Sequence, residues 1–306
     1  MAGPETWRSL LFVPAHTPKF VAAAPRSGAD AVILDLEDSV PADRKSTARE
    51  GLAATITSLS GSIDVLVRIN AEPDLAVLDL EAAVTPGLRA IVAPKIGTSD
   101  ALAVLDGLLG RLEASRGLAQ GDIGVIGQIE DVEALAALDD ICRGPRLIGL
   151  SLGPEDFSKS AAMTPTPETL YWPNQQVAFA CRRHGLLPYG FPGSIGEFSD
   201  LDAFGRNAVR GAEMGFVGAF CIHPRQVECL NAAFSPSAAA IEDARRIVEA
   251  LASAEAAGQG AARLDGRMID APVAARARAL LNKAIHLHGP DALDEIDAPS
   301  DRGDSK

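Results

Sequence analysis

Positive charge is scarce in this 306-residue chain: 28 Lys and Arg face 41 Asp and Glu, a formal net charge of −13. A protein that wraps nucleic acid or lies on anionic lipid needs the opposite sign, so neither partner is expected. A local cluster of basic groups and backbone amides would still hold the phosphates of a small ligand. Cysteine is also sparse. Cys142, Cys181, Cys221 and Cys229 lack the paired spacing of a zinc site or redox dithiol, and read as free thiols in a reducing compartment. The N-terminus MAGPETWRSL has no basic start followed by an apolar run, and no stretch approaches the ~18 apolar residues of a membrane helix. A cytoplasmic location is expected. Two enzyme motifs are missing as well: no Gly-x-Gly-x-x-Gly follows the first apolar run, and Gly190-Phe-Pro-Gly-Ser194 lacks the spacing of a serine nucleophile elbow.

What the chain has is ample core, with 47% hydrophobic and 23% charged residues. Eight short β-rich runs, at 9–14, 31–36, 65–70, 90–94, 124–129, 147–152, 187–191 and 219–223, alternate with helical patterns such as 41–59, 100–116, 132–142, 169–184 and 202–214. The runs are almost continuously apolar, as parallel strands covered on both faces must be. Eight βα repeats predict a (β/α)₈ TIM barrel over residues 1–234. A C-terminal helical extension is expected over 235–287, built from helices at 236–257 and 271–287 with a break at 258–260. The Asp/Pro/Ser-rich stretch 288–306 reads as a disordered tail.

A barrel presents its reactive groups where strands end, so the polar residues that close each run carry the information. The second run closes on Asp35, Glu37 and Asp38, three carboxylates that are costly to gather without a compensating cation or amides. Capping of the helix entered at Pro41 by Asp38 or Ser39 accounts for only one of them. Arg68 closes the third run. It offers a fork for a carboxylate or a developing oxyanion, or an internal salt bridge to the carboxylates of the preceding strand. Lys95 closes the fourth in an electrostatic or structural role rather than as a Schiff base. Glu130 and Asp156 close the fifth and sixth, and a pair of hard oxygen ligands completed by water and substrate suits Mg²⁺. A helix cap for Asp156 and a surface loop for Glu130 are the alternatives. His223-Pro224 closes the eighth run, as a general base or, more simply, as a loop lock.

In this order the chain resembles the citrate lyase β-subunit-like family of CoA-ester lyases within the HpcH/HpaI aldolase superfamily. The resemblance rests on Arg8-Ser-Leu-Leu-Phe-Val-Pro14, Asp35-Leu-Glu-Asp-Ser-Val40 with Lys45, Val67-Arg-Ile-Asn70, Pro94-Lys95, Ile129-Glu130, Gly153-Pro-Glu-Asp-Phe157, Gly215-Phe-Val-Gly-Ala-Phe-Cys-Ile-His-Pro224 with Gln226, and Asp265-Gly-Arg-Met-Ile-Asp270. It implies a lyase in which Glu130 and Asp156 hold Mg²⁺ (or Mn²⁺) against a 2-oxo acid, and Arg68 steadies an enolate or thioester oxygen. It also implies that Asp270, on the extension, serves as acid/base at the site of a neighbouring subunit in a trimer or hexamer. A cap on the helix entered at Ala271 is the simpler reading of Asp270. The CoA thioester is expected near the N-terminal segment, where Arg8, Lys19 and Arg26 supply positive charge; a solvated surface is the equal alternative for Lys19 and Arg26. Ala15-His16 and Tyr189-Gly-Phe-Pro-Gly-Ser-Ile195 depart from the family pattern and point to an altered acyl pocket. The implied activity is cleavage or formation of a malyl- or citramalyl-type 3-hydroxyacyl-CoA. Rivals are a thioester hydrolase, a CoA-independent class II aldolase, and an idle binding protein on the same scaffold.

Overall fold

The computed structural model describes residues 3–196 and 198–289. The chain forms two compact units that divide between Phe234 and Ser235. The first holds eight parallel strands: β1 Ser9–Pro14, β2 Ala31–Asp35, β3 Asp64–Arg68, β4 Leu88–Ala93, β5 Gly124–Ile129, β6 Leu147–Leu152, β7 Leu187–Tyr189 and β8 Ala219–Cys221. Each pairs with its sequence neighbour up to β7, and β8 returns to β1 through Ser9–Ala219 and Leu11–Cys221. The remaining seam closes at a Tyr189–Gly218 bridge, where Val217 N donates to Pro188 O and Gly190 N to Gly218 O, at 3.0 and 2.8 Å. The expected (β/α)₈ barrel is the observed fold.

Alternation along the strands sorts the apolar residues into two layers. Leu10, Phe12, Ile33, Leu66, Val92, Ile126 and Phe220 fill the barrel with Trp7 and Tyr189. Leu11, Val13, Val32, Leu34, Val67 and Val125 face outward into the layer completed by the helices. Both faces are covered, which is why the strands read as unbroken apolar runs. The floor is fastened by the Trp7 indole, which donates to Asp64 Oδ2 at 2.8 Å, and by the Tyr189 hydroxyl, which donates to Pro4 O at 2.7 Å. A Cβ on Gly218 would stand 1.9 Å from Trp7 O, so only glycine lets these two backbones meet.

Several helices depart from the sequence reading. The single helix expected over 41–59 is a 3₁₀ turn at Ala42–Arg44 followed by Lys45–Arg49 and Leu52–Leu59, because Gly51 adopts a left-handed φ of 74°. The helix expected over 132–142 is two short ones, Val132–Ala136 and Leu138–Ile141. Helices at Pro73–Ala83, Pro154–Ser160 and Pro224–Ala233 complete the βα repeats at positions not given bounds from the sequence. Each begins with proline in its first turn, where a missing N–H costs nothing.

The second unit packs Ala244, Ile247 and Leu251 of the helix Ala238–Ala256 against Ile269, Ala274 and Ala277. It is not purely helical as expected: an antiparallel hairpin, β9 Ala262–Leu264 and β10 Arg267–Ile269, precedes the helix Ala271–His288. Its turn is Asp265-Gly266, with φ of 49° and 76°, a strong hairpin signal in the sequence. Beyond Gly289 the expected tail lies outside the described residues. No helix among the described residues is long and apolar enough to cross a membrane.

Candidate active site

The alternation that places Ile33, Leu66 and Ile126 inside the barrel also places Asp35, Arg68 and Gln128 inside, one layer nearer the strand ends, with Glu130 just beyond the end of β5. They meet in a cavity of about 550 Å³ lined also by Phe12, Asp38, Gly153, Asp156, Ile195 and Ile222.

Arg68 is the hub. Asp35 and Arg68 are direct register partners on β2 and β3, and the carboxylate accepts along one edge of the guanidinium, at 2.6 Å from Nε and 2.7 Å from Nη2. Nη1 lies 3.1 Å from Glu37 and 3.4 Å from Asp38, and the plane rests 4.6 Å above the Phe12 ring. The salt-bridge alternative is therefore realised, and it leaves the Nη1 edge among the cavity carboxylates. Asp35 also accepts from the N–H groups of Glu37 and Ser39. Burial pushes its pKa up, but the Arg68 bridge and these amides prevail and hold it below the usual carboxylate range. Asp38 does not cap the following helix: its side chain is 75% exposed, and Pro41 occupies the cap position. Burial, with Asp38 and Glu130 nearby, pushes Glu37 up to about 8 despite Arg68.

Glu130 is buried rather than in a surface loop, at 8% exposure. Burial and the neighbouring Asp156 push its pKa up to about 7. Gly153 makes room for it, since a Cβ there would stand 2.6 Å from Glu130 Cγ. Asp156 sits in the first turn of Pro154–Ser160, whose cap position is Gly153, so capping does not explain it. Lys95 lies 3.6 Å from Asp156, with its backbone in a left-handed conformation of φ 52°. Burial lowers the Lys95 pKa, yet Asp156, Glu130 and Glu37 outweigh it and raise it.

This donor set fits a hard divalent cation. Buried Glu130 and half-exposed Asp156, which follow adjacent strands, repel each other, and the Gln128 Oε1 on the same cavity wall is buried without a partner. Among the described residues no group of three or more His, Cys, Asp and Glu forms a closed cage, so water and substrate oxygens would complete the shell.

Other expected residues lie elsewhere. Arg8 precedes β1 and is at the floor, held to Asp30 by Nε and Nη2 at 2.8 Å each, so the structure does not bring it to the strand ends. Lys19 is exposed, as is Arg26, and Arg26 edges a second cavity of about 540 Å³ that shares Phe12 and Ile222 with the first. His223 is a lock: its Nδ1 accepts from Arg225 N at 3.1 Å, and its ring stacks on Phe198. Asp270 caps the helix Ala271–His288, accepting from Val273 N at 3.2 Å. The four cysteines are free, and burial pushes Cys142 and Cys181 up to about 11 and 12. Two features were given no role from the sequence. One is Gln128, two residues before Glu130 and so on the same inner face. The other is a buried network behind the Asp35–Asp38 loop: Lys45 Nζ donates to Leu36 O and Glu37 O, and Asn70 Nδ2 to Leu36 O and Asp79 Oδ2.

A barrel whose strand ends carry a carboxylate pair and a braced guanidinium is equipped as an enzyme of the aldolase and carbon–carbon lyase class. Comparison with known proteins gives the family. The HpcH/HpaI aldolase/citrate lyase family model matches residues 8–224. The L-malyl-CoA/β-methylmalyl-CoA lyase of Cereibacter sphaeroides is 33% identical over 90% of this chain and 94% of its own. The citrate lyase subunit beta of Escherichia coli is 32% identical over 92% and 94%. The CitE protein of Mycobacterium tuberculosis, solved with magnesium, acetoacetate and coenzyme A, superposes with a TM-score of 0.72 at 27% identity, covering 92% of this chain and 98% of that one. The chain belongs to the HpcH/HpaI aldolase/citrate lyase family.

Proposed function

We propose that the protein is a magnesium- or manganese-dependent lyase that splits a malyl- or citramalyl-type 3-hydroxyacyl-CoA into an acyl-CoA and a 2-oxo acid, or runs the reverse condensation, in the cytoplasm. The observation that carries this is one cavity in which the Glu130–Asp156 pair faces an arginine fixed by Asp35. A divalent cation held by Glu130 and Asp156 would supply Lewis acidity to the hydroxyl or oxo oxygen of the acid unit. Breaking the carbon–carbon bond leaves an enolate. Arg68 meets its oxygen through the Nη1 edge, which Glu37 and Asp38 hold in the cavity. Phe12 and Ile195 give the cavity apolar surface beside the carbanionic carbon. The second cavity, with Phe20 at its wall and Arg26 at its edge, suits a thioester tail, which favours a CoA ester over a CoA-independent aldolase substrate.

The test is incubation with Mg²⁺ and malyl-, citramalyl- and citryl-type CoA thioesters, with every product identified by mass spectrometry. An acyl-CoA plus a 2-oxo acid is expected, with the citryl ester slowest. Its extra carboxylate would meet a wall carrying Asp35, Asp38, Glu130, Glu155 and Asp156 against a single arginine. Free CoA with an intact hydroxy acid would sink the lyase reading in favour of a hydrolase, and binding without turnover would indicate an idle scaffold.

Asp270 is our proposed proton donor to the enolate carbon, acting at a neighbouring subunit's site in a trimer or hexamer. Only its Oδ1 is engaged in the helix cap, so its second oxygen remains for this role. Asp270→Asn is expected to lower turnover about 10²-fold or more. Mixing it with an inactive Arg68→Lys protein and reassembling the oligomer should restore part of the activity. No recovery in mixed oligomers would argue that Asp270 serves its own subunit or none.

A further inference from the structure

Gln226 is fully buried and does not line the cavity. It is the third residue of the helix Pro224–Ala233, and its Oε1 accepts from Ile222 N at 2.9 Å and from His223 N at 3.0 Å. That half of the amide belongs to a capping box, and capping accounts for it. Glutamate would cap as well, and its charge would suit the helix N-terminus better. Capping leaves Nε2 unexplained. It donates at 2.9 Å to Ile195 O, on the loop that follows β7. One side chain therefore ties the backbone of Ile195 to that of Ile222, and both residues line the cavity of the carboxylate pair. The loop is fastened on its other side as well, where the Ser194 hydroxyl donates to Glu155, next to Asp156. Ile222 also lines the second cavity with Phe12, so the wall that Gln226 ties stands where the two cavities adjoin.

Resting on the lyase reading above, we infer that Gln226 is a positioning residue that sets acyl-chain specificity, by holding the Ile195 main chain against the end of β8. The cation pair and Arg68 take the acid unit, and the second cavity takes the thioester tail. The carbon between them, with any methyl group it carries, lies beside Ile195 and Ile222. How far that wall stands from the carbon is fixed by the bond from Nε2, although Gln226 itself touches no substrate. The Ile195 side chain is open to change in size; its backbone is not.

The test is a double-mutant cycle on Gln226→Glu and Ile195→Ala, with Gln226→Met as a second variant of the amide. Gln226→Glu keeps both accepted bonds and loses the donor, and the introduced carboxylate repels Ile195 O. Affinities for acetyl-CoA and propionyl-CoA are measured by calorimetry in Mg²⁺, beside condensation kinetics. Their ratio is blind to a general loss of structure, which weakens both esters alike. Gln226→Glu and Gln226→Met should each move the ratio toward propionyl-CoA by at least about threefold, roughly the worth of one methylene, and Ile195→Ala should do the same. In the Ile195→Ala background Gln226→Glu should add less than about 1.5-fold, because both changes act on one wall. KM for the 2-oxo acid should stay within about twofold. An unchanged ratio in both Gln226 variants would overturn the inference, whatever their melting temperatures, since that is the behaviour of a helix cap alone. So would an effect of Gln226→Glu that persists in full beside Ile195→Ala, or a wild type that binds neither ester. Binding is read independently of turnover. A wild type that makes no carbon–carbon bond, yet whose ratio moves as expected, would therefore remove the lyase reading and keep this one.

Discussion

Arg68→Lys is expected to fold and to lose about 10²- to 10³-fold in kcat, the range typical of removing a preorganised donor from a developing oxyanion. The reason is geometric. Asp35 holds the Nε–Nη2 edge of a planar fork, so Nη1 is delivered to the cavity at a fixed angle over the Phe12 ring. Lysine keeps the charge but is a point donor: it can satisfy Asp35 or the enolate oxygen, not both. Arg68→Ala should behave differently, because it strands a buried carboxylate and costs about 3–5 kcal/mol of stability before chemistry is considered. Steady-state kinetics and thermal melts on the two variants separate the effects. A Lys variant with wild-type kcat would show that the bridge to Asp35 is purely structural.

Glu130→Gln and Asp156→Asn should each reduce divalent-cation affinity and lower kcat/KM by about 10³-fold or more, measured by cation titration of the protein and of the reaction. Glu130→Gln should at the same time raise the melting temperature of the cation-free protein, because it removes a buried charge that Asp156 opposes. Opposite signs for stability and activity are the signature of a residue kept for function. Unaltered cation affinity in both variants would relocate the cation. Lys95 gives a further contrast: it answers Asp156 at 3.6 Å from a half-exposed position, and as a resident positive charge it would compete with the cation rather than bind it.

The strand ends were legible because β-structure has a period of two. Once the apolar runs at Ile33, Leu66 and Ile126 are aligned, the polar residues that close them share the inner face. What Arg68 does was not legible, because its fork on Asp35 depends on the register of β2 against β3, a non-local quantity. Arg8 illustrates what strand direction adds: it stands before Ser9, at the N-terminal end of β1, and is paired there with Asp30. The hairpin at 262–269 was missed because each of its strands is only three residues long, leaving the Asp265-Gly266 turn as its sole mark. The helix Pro73–Ala83 was missed because Asp74, Asp79 and Glu81 break its apolar pattern without a clean polar face, and the burial of Asp79 is visible only in three dimensions.

Asp79 lies outside the barrel, has no exposed surface and lines neither of the two cavities described above. Yet its carboxylate takes Asn70 N and Nδ2 at 2.8 and 2.6 Å and Arg49 Nε at 2.6 Å, and Asn70 in turn supports the backbone from which Glu37 and Asp38 project. The tolerance of this enzyme to random change will therefore not follow distance from the reacting carbon. A survey of inactivating substitutions should light up a radial spoke running from the cavity through Asn70 into the helical shell, and redesign of the acid's pocket has more freedom on the Ile195 side than on the side this spoke supports.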